Sequence, residues 1–300
     1  MLLAVTQPHA DTRPRSTFSP SMVLAVPTVT SVVGLLAQLA DNSVTEIVVA
    51  DGTYVVPSAD SSVGQKTGLW IDGRFAARTN PVLVRAQTPG GVVFSGGGAS
   101  DWTALAFRDG VHDQTWQGFR FADGDPTQTG VIVFGQSGSV TPLPPYRITL
   151  LGLTIDESVV SANPPGQSGD HAVYFSRAQG RGPHDIVIDG LTVHAATSGL
   201  DSAIHFYGSQ PGQPNADTVA IRHLTVEGTD QAVILWDPTL AGISITDSAI
   251  TGAKQFAVRY EGGTGILLSD VVSTGSGQRG LYSTLGPNPP GVTLTDCDLH

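Results

Sequence analysis

The sequence has one cysteine, Cys297, so no internal disulfide can brace its fold. It also lacks long apolar runs. No stretch of about 18 apolar residues occurs, which excludes a membrane-spanning helix and membrane insertion. Met1 to Val5 has neither the basic start nor the length of a signal peptide, so a secreted or cell-surface location requires a start site upstream of this numbering. Basic residues are scarce: 15 Lys and Arg stand against 26 Asp and Glu, for a net charge of −11. A nucleic-acid partner is excluded on that ground, because a phosphate polymer needs a basic footprint. An anionic polysaccharide would need a bridging divalent cation. Charged residues of both signs make up only 14%, and the segments between turns are rich in Val, Ile and Leu, which excludes a disordered chain.

What the chain has in abundance is turns and short alternating segments, with Gly 36 and Pro 20. The pattern repeats. Asp170-His171-Ala172-Val173-Tyr174-Phe175 is followed by a turn and Ile186-Val187-Ile188-Asp189-Gly190-Leu191-Thr192-Val193. One lap later come Asp201-Ser202-Ala203-Ile204-His205-Phe206-Tyr207 and Val219-Ala220-Ile221-Arg222-His223-Leu224-Thr225-Val226. A marker column runs Ala104, Gly130, Ala172, Ala203, Ala232, Ala257, Gly280, and a second runs Ile148, Ile186, Val219, Ile243, Ile266, Val292. Laps of roughly two dozen residues are too short for helical pairs and fit a coil of strands, each paired in parallel with the strand one lap below. Alternation turns Val173, Ile204, Val233, Val258 and Leu281 inward, with Phe175, Phe206, Leu235 and Tyr260. Cys297 falls where Leu191, Leu224 and Val271 stand and is expected to be a small core hydrophobe.

The expected fold is all-β: a parallel β-helix solenoid with a short N-terminal capping helix. The ladder of His171 to Ser176 and Ala203 to Gly208, each followed by an Ile-x-Ile-x-x-Leu-Thr-Val type strand, resembles the right-handed parallel β-helix proteins of the pectin-lyase-like superfamily. Two earlier segments, Asp51-Gly52-Thr53-Tyr54 and Leu83-Val84-Arg85-Ala86-Gln87-Thr88-Pro89-Gly90, are similar to the opening coils of the alginate and chondroitin lyases of polysaccharide lyase family six. That resemblance implies an extracellular, polysaccharide-active protein, a lyase before a hydrolase. The family's Asn-rich strand and its Glu-containing calcium and catalytic segment have no counterpart here. A non-catalytic carbohydrate-binding or surface-structural β-helix is the alternative.

In chain order, residues 1–26 read as a disordered leader and 27–300 as a single β-helix domain, expected to be a monomer. Residues 28–40 read as the amphipathic helix, capped by Ser31 or Thr30, that covers the open first coil. Coils fill 46–300. Insertions at 136–145, 157–169 and 209–217 interrupt the laps and would project from one face. The chain stops at His300 just after a strand, so a truncation or a covering partner is expected there.

The outward positions of the first-strand column are Tyr174, His205, Ile234, Arg259 and Tyr282. Two residues on lie Ser176, Tyr207, Trp236, Glu261 and Thr284. Aromatic rings on a rigid strand suit the apolar faces of sugars, so Tyr174, His171, Tyr207, Trp236, Glu261 and Tyr282 are the substrate-binding candidates. Lyase chemistry needs a base and a positive group beside the developing enediolate, for which Lys254, Arg259, Arg279 and His205 are the candidates; the lyases it resembles use a basic pair on adjacent coils, and Lys254 and Arg279 lie a lap apart. A hydrolase would need two carboxylates, with Asp201, Asp230 or Glu261 available. Asp170, Asp201 and Asp230 share one register, where stacked carboxylates would either cap their own turns or share a calcium ion. His184, His194 and His223 are expected to be structural.

Overall fold

The computed structural model describes residues 26–56, 69–99, 102–124, 130–135, 143–156, 170–176, 181–195, 200–208, 215–286 and 290–300. The leader up to residue 25 lies outside the described residues, as do most or all of the three insertions.

Short alternating segments cannot bury an apolar face alone, and they do so here by stacking. Leu69–Ile71, Leu105–Arg108, Gly130–Gly135, His171–Phe175, Ser202–Phe206, Gln231–Leu235, Phe256–Tyr260 and Arg279–Ser283 form one 8-stranded sheet in chain order. The other strands form a 17-stranded sheet that completes each lap. Every pairing between described strands is parallel, and partners are always in neighbouring laps: Tyr174 stands opposite His205, His205 opposite Ile234, and Ile234 opposite Arg259. The protein is a parallel β-helix.

The core runs along the axis. Ile148, Ile186, Val219, Ile243, Ile266 and Val292 are consecutive register partners, as the spacing predicts. Phe107, Phe134, Phe175 and Phe206 stack face to face in successive laps, with centroids 5.2, 4.8 and 4.4 Å apart. The marker column differs from the expectation at one position. Gly130 pairs with His171, so Val131 rather than Gly130 stands in line with Ala172. Cys297 packs against the core, half-buried, with Sγ 3.3 Å from the Leu268 carbonyl.

Corners are set by left-handed residues. Asp113, Arg147, Asp185, Thr218, Gly242 and Gly265 occupy one corner in successive laps, all with φ between 50° and 65° (56°, 52°, 55°, 54°, 62° and 62°). Only Gly enters this region without strain, although Asp tolerates it. Ion pairs tie lap to lap, Arg85 to Glu46, Arg147 to Asp113 and Arg181 to Asp217, and hydrogen bonds join His194 to Glu227 and His223 to Asp189. His194 and His223 are thereby structural, as is His184, buried beside Asp185.

The helix is shorter than the expected 28–40. It spans Val32–Ala40, with the Ser31 hydroxyl accepting from the Gly34 N–H at 3.0 Å, while Thr28–Val29 pair with Val48 and Val49 as a strand. Extended backbone at 28–29 lets the chain add to the sheet before it turns into the helix. Leu35 and Leu39 enter the core at the first coil. The Arg78 guanidinium donates to the carbonyls of Leu39, Asp41 and Val44, satisfying oxygens at the helix end.

Candidate functional site

The 8-stranded sheet presents its outward side chains in two columns, and in the central laps these converge on one cluster. Register puts Tyr174, His205, Ile234, Arg259 and Tyr282 in line. Tyr207, Trp236 and Glu261 follow two residues on. Their rings touch across laps: Tyr174 to Tyr207 at 5.8 Å, Tyr207 to Trp236 at 6.3 Å, and His205 to Trp236 at 6.2 Å. The Arg259 guanidinium lies 5.3 Å from the centre of the Trp236 ring and donates from Nε to Glu261 Oε1 at 2.6 Å. Tyr207 and Trp236 are the open part of this platform, 36% and 42% exposed.

Beneath them lies a buried pair. His205 is outward by register yet only 6% exposed, because Tyr174, Tyr207 and Trp236 close over it. The expectation that His205 lies open along the stripe is corrected here, and His171, a binding candidate, is buried as well: crowding by large side chains in adjacent laps covers them both. His171 Nε2 is 2.7 Å from His205 Nδ1, and His171 Nδ1 is 2.9 Å from Ser202 Oγ. His205 Nε2 is buried without a hydrogen-bond partner. Burial lowers both imidazole pKa values. His171 is driven well below 6.5, with the neighbouring His205 adding to the effect, and His205 falls to about 3, with Arg259 adding to it. Both rings are therefore neutral at neutral pH.

A neutral imidazole carries one N–H and one bare nitrogen, so the chain Ser202–His171–His205 has two consistent directions. In one, His205 Nδ1–H donates to His171 Nε2, and His171 Nδ1–H donates to Ser202. That leaves the lone pair of His205 Nε2 free to take a proton. Reversing every bond makes the same nitrogen a donor.

The remaining candidates sit apart from this cluster. Arg279 is exposed and lies 5.8 Å from the centre of the Tyr282 ring, which itself stacks on Phe256. Lys254 does not stand one lap below Arg279, whose register partner is Phe256. Its ammonium points to Asp230, 3.9 Å away. Asp170, Asp201 and Asp230 do share a register, as predicted, but the column does not fit a shared cation. Among the described residues no three His, Cys, Asp or Glu are grouped to hold a metal ion, and Asp230 faces Lys254 and the Gln255 amide instead.

Sequence reasoning missed Trp70 and Arg108, which extend the two outward columns toward the N-terminus. The Arg108 guanidinium lies 4.1 Å from the centre of the Trp70 ring. Extending the columns back through Ala106 and Gly135 would have found both.

Fold and site together define a parallel β-helix protein with an aromatic and basic platform over a buried histidine pair. No family model and no curated protein matches its sequence. Among solved structures it is similar to an alginate lyase of polysaccharide lyase family six, at 17% identity and a TM-score of 0.42, covering 83% of this chain and 35% of that one. It is also similar to the endo-xylogalacturonan hydrolase of Aspergillus tubingensis, at 13% identity and a TM-score of 0.43, covering 91% and 92%. A third is the catalytic unit of an α-1,3-glucanase of Streptomyces thermodiastaticus, at 16% identity and 0.41, covering 85% and 49%. The chain spans about a third of the length of that alginate lyase. The architecture rests on this chain's own strand registers, and the roles of its residues on its own geometry.

Proposed function

We propose that the protein is a polysaccharide-active β-helix that lays an extended, uronate-bearing glycan along the platform of Tyr174, Tyr207, Trp236 and Arg259, and that it cleaves this glycan by β-elimination. The observation that carries the reading is the convergence of exposed rings, a guanidinium and an unpaired imidazole nitrogen on one rigid face. Rings stack on the apolar faces of sugars, and Arg259 offers positive charge to a carboxylate. The reaction requires Tyr207 and Trp236 to swing off the buried His205 Nε2, which in the acceptor tautomer then takes the proton α to that carboxylate. The electron pair forms the new C=C bond as the glycosidic oxygen leaves and draws a proton from water. Arg259 stabilises the charge that builds on the carboxylate in between. Such a substrate fits a secreted or cell-surface location. Incubation with alginate, pectate and a glycosaminoglycan, followed by ultraviolet absorbance of unsaturated uronate, tests the reaction. No product from any of them overturns it.

A second reading, binding without turnover, is favoured by specific observations: an imidazole with a pKa of about 3 is a weak base, and Arg259 is already paired with Glu261. Retention of a glycan by the intact protein without any product selects that reading.

A further inference from the structure

Arg85, Arg147 and Arg181 each bind a carboxylate one lap away. Arg108 does not. Its side chain rises from the outer face of the 8-stranded sheet, opposite Gly135, and rests on the Trp70 ring at 4.1 Å. Its Nε is buried without a hydrogen-bond partner, as is Trp70 Nε1, and it makes no ion pair with any described residue. Among the described residues, the acids that act on it are Asp109 and Asp72. Asp72 accepts from Arg74 Nε at 2.9 Å and caps its own turn, and Asp109 is also engaged elsewhere. Desolvation is strong enough to lower the Arg108 pKa to about 10, which still leaves it charged at neutral pH.

A desolvated guanidinium without an anion is costly to keep, since buried charges are normally paired. The Trp70 ring backs the guanidinium, and its two terminal nitrogens can donate to a carboxylate or sulfate through paired bonds. We infer that the Trp70–Arg108 stack is a binding site for one anionic group, a carboxylate or sulfate, on the same sheet face as the platform. Arg108 and Tyr207 are separated by three strand spacings, roughly 14 Å. A glycan lying across the strands from Tyr207 toward the N-terminal laps would bring an acidic substituent to Arg108. The anion site stands by itself; its use by a glycan rests on the function proposed above.

Two arms of one experiment separate these claims. In the first, the melting temperature of the full chain is measured in sodium sulfate and in sodium chloride at equal ionic strength. Sulfate stabilises folded chains by exclusion in any case, so the expected rise above chloride is larger in the wild type than in Arg108→Gln, because a ligand held only by the folded state adds to it. In the absence of sulfate, Arg108→Gln should melt close to wild type, since Arg108 is only partly buried and its loss removes a stack on Trp70 together with an unpaired charge. A wild type indifferent to sulfate overturns the inference, even if the variant does not fold, and so does a sulfate effect of equal size in Arg108→Gln. In the second arm, an oligogalacturonate is titrated into wild type, Arg108→Gln and Trp236→Ala. About tenfold weaker binding in both variants supports both claims. Loss in Trp236→Ala alone overturns the glycan use of Arg108 and leaves the platform standing. Loss in Arg108→Gln alone keeps the anion site and removes the platform.

Discussion

His171 Nε2 and His205 Nδ1 lie 2.7 Å apart in neighbouring laps, and both rings are held neutral by burial. Protonating either one would place a positive charge beneath the aromatic cover, and on His205 that charge would also face Arg259. The pair therefore links folding to pH. Both folded-state pKa values lie below the unfolded value, so the unfolded chain binds more protons as the pH falls below 6.5. The stability is fully present above 6.5 and is lost as the pH drops toward about 3. A tenfold difference in proton affinity between the folded and unfolded chain is worth about 1.4 kcal/mol. Melting curves across this window should slope downward with acid, and His205→Gln should flatten the slope. An equal slope in wild type and variant would disprove the linkage.

Trp236 provides the most open ring of the platform, and its removal should cost binding far more than stability. Trp236→Ala is expected to weaken glycan retention about tenfold, while the folding free energy drops by about 1 kcal/mol or less, as for other substitutions of exposed residues. Affinity electrophoresis and a melting curve measure the two effects. A collapse in stability with binding intact would reverse the assignment.

Arg259 has two neighbours that respond differently to its loss. Arg259→Ala should abolish release of unsaturated uronate and leave the melting temperature within a few degrees, because partly exposed ion pairs contribute about 0–1 kcal/mol. The pKa of His205 should rise, since Arg259 helps to depress it. Imidazole titration by NMR reads that change directly. Full activity in the variant would remove Arg259 from the reaction.

The phenylalanine stack is where the fold is most vulnerable. Phe206 is fully buried and lies 4.4 Å, ring to ring, from Phe175. Phe206→Ala should destabilise by about 3–5 kcal/mol through lost burial and the cavity it leaves. Denaturant unfolding measures this. A loss below about 1 kcal/mol would mean that the laps close over the gap.

The sequence made the coil legible because its period and its alternation agree. Ile148 to Val292 could be placed in register from spacing alone, since a one-residue slip would have turned every Ile and Val outward. Gly130 was misplaced by one residue because its lap follows an irregular stretch, where spacing carries no register. The outward columns were legible as columns. Which of their members are open to solvent was not, because that depends on the size of side chains one lap away: Tyr174, Tyr207 and Trp236 cover His205 from three sides. Lys254 and Arg279 looked paired by a lap-length spacing, but laps differ in length and their true partners are others.

The shared corner of Asp113, Arg147, Asp185, Thr218, Gly242 and Gly265 leaves room for improvement built into the coil. The later laps have already settled on glycine at this turn. Thr218, β-branched and at φ 54°, is the least suited of the others to a left-handed backbone. Its hydroxyl reaches only the adjacent Asp217, whereas Arg147 is needed by Asp113. Copying the later corners into the earlier one as Thr218→Gly should raise the melting point by relieving about 1 kcal/mol of strain, less what the more flexible unfolded chain takes back. Repetition thus makes the protein its own template for stabilisation: each lap is a tested solution to the problem its neighbours face, and the better solution can be moved along the axis without touching the aromatic platform.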